Sequence, residues 1–231
     1  MTRARPVVAI DGPAGAGKTT VARRVARELG YMLVDTGAIY RAVAFAAKQR
    51  AVDFADRVAV ESLAHSLVST AALTMETSEG DTPRMRLDGK ELGDEIRTPE
   101  LSMGASTVSA YPGVRDALLE LQRRLGTNGG VVLEGRDIGT VVFPDAEVKV
   151  FLTATDEDRA QRRFLELQSK GVSATFEQTL EDVRVRDRQD TERAIAPLRA
   201  ADDAVRIDSS RLSVDDVVAS IVRRARARER P

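Results

Sequence analysis

Short apolar runs alternate along the chain with longer stretches in which apolar residues return every three or four positions. Residues 7–11 (VVAID) form a β-branched run. TVARRVARELG then repeats Val21, Val25 and Leu29 at helical spacing, and Gly30 supplies a stop. A second run, YMLVD at 31–35, leads through Thr36 and Gly37 into AIYRAVAFAAKQR, which reads as a helix opening at Ala38 with Arg41 one turn in. Further runs at 131–135 (VVLEG), 148–152 (VKVFL) and 204–208 (AVRID) are separated by helical stretches. This alternation predicts an α/β fold, a mainly parallel sheet of five strands with helices on both faces.

Residues 71–93 break the rhythm. They are polar and alternating, and Asp88-Gly89, a hairpin-turn dipeptide, lies between MRL and KEL, so a small antiparallel insert is expected there. Thr98-Pro99 pairs an N-cap residue with proline at the first helical position, and Val114, Leu118, Leu121 and Leu125 then share one helix face. There is no internal repeat, low-complexity linker or heptad seam, which predicts one domain carrying an excursion. The arginine-rich end, IVRRARARERP, is expected to extend the last helix and fray.

Composition narrows the class. A chain of 231 residues, 42% hydrophobic, buries roughly 70% of its unfolded surface and needs no staples. The absence of cysteine excludes a disulfide framework, a thiolate nucleophile and cysteine-based metal sites, and makes the cytoplasm the expected compartment. No apolar stretch approaches a membrane span, and MTRARPVVAI runs straight into a strand pattern, so no membrane partner and no export signal are expected. A formal net charge of −1 argues against a general polyanion binder, so no nucleic-acid partner is expected either, and the chain is expected to be a monomer. Only five of the 35 basic residues are lysines, leaving 30 arginines, the side chain whose planar fork suits bidentate phosphate contacts. The sole histidine, His65, sits in a helical pattern and is read as structural.

Gly12, Gly17, Lys18 and Thr19 satisfy GxxxxGK[ST] between an apolar strand and an amphipathic helix, the context that motif requires. Residues Gly12, Pro13, Ala14, Gly15, Ala16, Gly17, Lys18, Thr19 and Thr20 are therefore the expected ATP-binding loop. Its glycines let backbone N–H groups converge on a phosphate, Lys18 reaches the β- and γ-phosphates from a solvent-open loop, and the Thr19 hydroxyl can sit on Mg²⁺. A GTPase switch is excluded, because the only asparagine, Asn128, precedes glycine and no aspartate has glycine three residues on. The strand at 131–135 runs into Glu134-Gly135-Arg136-Asp137. An arginine there suits a phosphate-bearing acceptor better than an activated water.

Thr36 and Arg41 follow the second strand and fall beside the loop, since ligands of open α/β sheets bind outside the carboxyl ends of the strands. With Arg136 and Asp137 they describe a pocket holding two arginines for an anion and a carboxylate for an amino or hydroxyl hydrogen. A third arginine concentration, Arg159, Arg162, Arg163, Arg184, Arg186, Arg188 and Arg193 with Asp190, supplies mobile cations able to close over two reacting anions.

IDGPAGAGKTTVA, LVDTGAIYRAVA, LEGRDIGTVVFPDA and RDRQDTERAIAPL closely resemble the bacterial cytidylate kinases, which are nucleoside monophosphate kinases, over about residues 7–210. The resemblance implies ATP and CMP or dCMP as substrates, a core at about 1–35, 112–154 and 172–231, a CMP-binding part at about 36–111 and a helical LID at about 155–171. It places the acceptor phosphate on Arg41 and Arg136, cytosine on Ser106, Arg115 and Asp137, and the sugar on Asp190 with help from Thr36. It brings Arg186, Arg188 and Arg193 to the reacting phosphates, with Arg193 also on the CMP side, and stacks Arg162 on adenine. Many members carry serine at the position of Thr36; the hydroxyl is retained. Two other readings stay open: a P-loop kinase for UMP or a shikimate-like acceptor, and a nucleotide-binding switch that hydrolyses slowly.

Overall fold

Every residue after Arg5 in the first apolar run is buried, as befits a strand covered on both faces. In the computed structural model, which describes residues 3–76, 84–169 and 171–230, that run is β1 (Arg5–Asp11). The glycine-rich loop follows and enters α1 (Lys18–Leu29), which Gly30 ends in the left-handed region, donating its N–H to the Ala26 and Arg27 carbonyls. Next come β2 (Met32–Asp35), α2 (Thr36–Gln49) and α3 (Arg57–Ser69). The cap of α2 is Asp35, whose carboxylate accepts from the Ala38 N–H at 3.0 Å, so the helix opens two residues earlier than its apolar pattern suggests. His65 lies exposed on α3.

The excursion is antiparallel, with β3 (Leu73–Glu76) paired to β4 (Arg84–Leu87) and β4 to β5 (Lys90–Glu91). Asp88 and Gly89 both have positive φ, 48° and 76°, the conformation of a tight hairpin turn. Residues 77–83 of the expected insert lie outside the described residues. After a 3₁₀ turn, α4 (Pro99–Ser109) opens on the Thr98 cap, and α5 (Pro112–Gly126) buries Val114, Leu118 and Leu121.

Strand β6 (Gly129–Gly135) ends in an unforeseen π-helical turn at Ile138–Val142. Then follow β7 (Val148–Thr153), α6 (Asp156–Ser169), α7 (Phe176–Glu192), β8 (Val205–Asp208) and α8 (Val214–Arg226). All five strands expected of the main sheet are present and parallel, in the order β2-β6-β1-β7-β8. Along β1, Val8 and Ile10 pack toward α1 and α8, while Val7 and Ala9 pack toward Leu133, Ile138 and Phe143. Truncating Ile10, which is fully buried, to alanine would cost about 2–5 kcal/mol. A third cluster joins α2, α3, α4 and α5 to the insert. From β1 the chain moves outward to β2, returns to β6 between the two, and then adds β7 and β8 on the other side of β1. This switch of direction opens a crevice at the carboxyl end of β1.

Candidate active site

The loop between β1 and α1 is shaped by close backbone approach. A Cβ on Gly12, whose φ is 151°, would lie 1.9 Å from the Leu152 carbonyl oxygen, so no larger residue fits. Gly17, at φ 89°, caps α1 with no side-chain hydrogen bond to the first-turn amides, which leaves them for an anion. Lys18 is not solvent-open as its loop position suggested. It is 7% exposed, and its Nζ donates to the Pro13 carbonyl at 2.7 Å beneath the loop. Burial, then the Arg136 guanidinium, pull its ammonium down, while Glu134 pulls it back up.

Glu134 is the residue sequence reading passed over. It is the penultimate residue of β6, paired with Ile10 of β1, is 4% exposed, and accepts from the Thr19 hydroxyl at 3.0 Å on Oε2, while buried Oε1 has no hydrogen-bond partner. Burial pushes its carboxyl up and Lys18 restrains it. A hydroxyl and a carboxylate oxygen with spare acceptor capacity are the donor set that suits a hard divalent cation shared with phosphates. Thr36, also buried, donates its hydroxyl to the Glu134 carbonyl at 2.7 Å and so pins the start of α2 to β6.

Across the cleft the side chains are guanidiniums and carboxylates already in pairs. Asp35 accepts from Arg41 at 2.7 Å, and Arg97, just past the 3₁₀ turn that follows the insert, stands 3.8 Å from the same carboxylate. Arg136 donates through Nε to Asp190 at 2.7 Å. Burial opposes ionisation of Asp190, yet Arg136 and Arg186 hold it below the usual carboxylate range. Burial, followed by Arg136, lowers Arg186 to about 10, and the buried Nε atoms of Arg186 and Arg41 are unpartnered. A buried arginine depressed by the guanidiniums around it, with a donor unspent, marks a place for an anion.

Deeper in the pocket, Asp137 takes Arg115 on Oδ2 and Arg193 on Oδ1, the latter at 3.4 Å. Arg115 lies over the Tyr40 ring at 5.7 Å. Ser106, on α4, donates to Gln189 Oε1 on α7 at 3.0 Å. All these groups except Gln189 line one cavity of about 730 Å³ with the loop from Ala14 to Thr20, a size suited to small-molecule ligands. Gly12 and Pro13 shape the loop from behind.

Three of the arginines expected to close over the reacting anions, Arg159, Arg184 and Arg188, do not line the cavity, and Arg184 pairs instead with Asp156 and Glu157. Arg188 projects from the far side of α7, 56% exposed and bonded to Glu181 at 3.0 Å, while Arg186, Asp190 and Arg193 face inward. Arg162 does reach the cleft, where it donates to the Ser209 hydroxyl and carbonyl, both at 2.9 Å, and to Ala16 at 3.4 Å. Arg159 is instead buried as a tie, bonded to the Ala14 carbonyl at 3.0 Å and to Asp187. The half-exposed Leu212 and Val214 form an apolar lip beside Arg162.

A phosphate-cradling loop facing a guanidinium-lined pocket across one crevice of a five-stranded parallel sheet defines the P-loop kinases. Within that class the chain belongs to the cytidylate kinase family, whose family model matches residues 8–227. The cytidylate kinase of Pseudomonas aeruginosa is 48% identical over 223 residues, covering 96% of both chains. That of Pelotomaculum thermopropionicum is 48% identical over 225 residues, covering 97% of this chain and 98% of its own. Among solved structures, an uncharacterized protein from Eubacterium ventriosum shares the fold at 12% identity and a TM-score of 0.54, with coverage of 96% and 99%.

Proposed function

We propose that this chain transfers the γ-phosphoryl group of ATP to CMP or dCMP, giving ADP and CDP or dCDP. The observation that carries the reading is the placement of buried Asp137 between Arg115 and Arg193 in the same cleft as the phosphate loop. A carboxylate flanked by guanidiniums offers the acceptor-then-donor edge that cytosine complements. Family membership agrees with it.

The reaction needs no protein base. An acceptor phosphate has a second pKa of about 6 and is a dianion at neutral pH, so alignment, charge neutralisation and exclusion of water carry the rate. The first-turn amides of α1 and Lys18 hold the donor phosphates. Arg41, released from Asp35, and Arg136 hold the acceptor phosphate, and Arg186 and Arg193 span the two. Asp190 binds the sugar, with Thr36 keeping α2 in place. The donor base lies against Arg162 and the Leu212–Val214 lip, with α6 as the LID that closes over it. Thr19 and Glu134 fit Mg²⁺, which when bound neutralises the β- and γ-phosphate oxygens. The enzyme works as a cytoplasmic monomer. Coupled ADP release measured with CMP, dCMP, UMP, AMP and shikimate tests the reading. CMP and dCMP should dominate; ATP hydrolysis indifferent to CMP would instead identify a nucleotide switch.

A further inference from the structure

Ser106 presents one hydroxyl to the base end of the cavity, and a hydroxyl has a single hydrogen and two lone pairs. That hydrogen is already committed, because Oγ donates to Gln189 Oε1 at 3.0 Å. What Ser106 shows to a ligand is therefore an acceptor. Asp137, which lines the same cavity, is also an acceptor, and Arg115 is a donor only. Gln189 does not line the cavity, lies exposed on α7, and makes this one side-chain hydrogen bond among the described residues. Its hydrogen-bonded link to the site runs through Ser106.

We infer that Gln189 is a specificity-setting positioning residue: it fixes the Ser106 hydroxyl as an acceptor, so that the pocket favours a pyrimidine with an amino group at position 4 over one with a carbonyl. This rests on the reading that the acceptor's base sits against Ser106, Arg115 and Asp137. A 4-amino group carries two hydrogens for two acceptors. A 4-carbonyl meets two acceptors and no hydrogen. Freed from Gln189, the hydroxyl can turn and donate to that carbonyl, which relieves half of the mismatch.

The test compares kcat/KM for CMP and UMP in the parent, Gln189→Met, Gln189→Glu and Asp137→Asn. Methionine matches the length of glutamine but cannot accept the hydrogen, and should narrow the CMP/UMP ratio about threefold to tenfold, the worth of one hydrogen bond. Glutamate is an acceptor only and should hold the ratio within about twofold of the parent, a rescue that a packing role cannot give. Thermal unfolding checks that each variant is folded, as expected at an exposed position. A ratio unchanged in Gln189→Met, or narrowed equally in Gln189→Glu, overturns the role of Gln189 while a collapse in Asp137→Asn leaves the base site standing. A parent without CMP preference, or a ratio indifferent to Asp137→Asn, overturns the base-site reading and this inference with it.

Discussion

The loop after β1 offers a ligand mostly backbone. Its shape follows from Gly12 against the Leu152 carbonyl, Gly17 capping α1 and a run of free amides, with Lys18 held beneath by the Pro13 carbonyl. The pocket across the cleft offers almost no backbone. It is made of side chains from α2, α4, α5, the end of β6 and α7, with charges paired in advance: Asp35 with Arg41, Asp137 with Arg115, Asp190 with Arg136. Backbone amides recognise what every triphosphate shares, whereas paired side chains recognise what one acceptor has. The acceptor must also compete with the carboxylates for their arginines, which penalises ligands that lack a phosphate of their own.

Removing Lys18 is the strongest way to break this division. Lys18→Ala should lower kcat by about 10²–10³, the cost of losing one preorganised electrostatic partner of the transition state. The fold should survive, because burial already disfavours the lysine's charge and Glu134, whose carboxyl burial pushes up, can take a proton. Circular dichroism and turnover on the same preparation decide the point. Activity within threefold of the parent would remove the donor loop from the reaction.

Arg136 tests whether the two regions are separable. Arg136→Ala should cut kcat/KM for CMP about a hundredfold, in line with truncation of a buried charge partner, while the affinity of a non-hydrolysable ATP analogue changes little. Equal losses for both nucleotides would mean that Arg136 serves the donor side as well, and the contrast between the regions would fail there. Asp137 sharpens the acceptor side alone. A buried polar mismatch of about 1–3 kcal/mol predicts CMP over UMP by about tenfold to a hundredfold in kcat/KM. Asp137→Asn should narrow that ratio mainly by losing CMP activity, as read from steady-state kinetics on both substrates.

The same contrast explains what the sequence reveals. A backbone site is one contiguous segment, so GPAGAGKT announces it, and the alternation of apolar runs announces the sheet that carries it. The pocket is scattered over residues 35 to 193, and its members read singly as strand ends and surface helices. Glu134 reads as the end of a strand, and Arg97, between the insert and the Thr98 cap, carries no motif. The resemblance groups Arg188 with Arg186, and RVRDRQD, charged at most of its positions, shows no helical face that would separate the two. Burial of Thr179, Val183 and Asp190 sets the phase of α7 and turns Arg188 outward. The start of α2 is hidden in the sequence for a similar reason. Thr36 and Asp35 are both capping residues, and only the geometry shows the aspartate accepting from Ala38 while the threonine hydroxyl is spent on Glu134.

The smallest expected effect lies at the seam between the two regions. Asp11, the last residue of β1, is 4% exposed and accepts from the Ile138 and Gly139 amides, both at 2.8 Å, so it ties the strand behind the donor loop to the turn that follows Arg136 and Asp137. Burial raises its carboxyl from 3.8 to about 6 against the pull of those two amides. A carboxyl whose folded pKa is above its unfolded value binds more protons in the native state, so its contribution to stability grows as pH falls from about 6 toward 4 and is lost above that window. The difference amounts to about 3 kcal/mol at most, from 1.36 kcal/mol per unit. Asp11→Asn removes this titration, so the stability of the parent relative to the variant should grow as pH falls from about 6 toward 4. Urea unfolding of both proteins at pH 4.5 and 7.5 reads the effect. A stability gap that is the same at both values would mean that the two amides outweigh burial, leaving the seam held by an aspartate that stays ionised throughout.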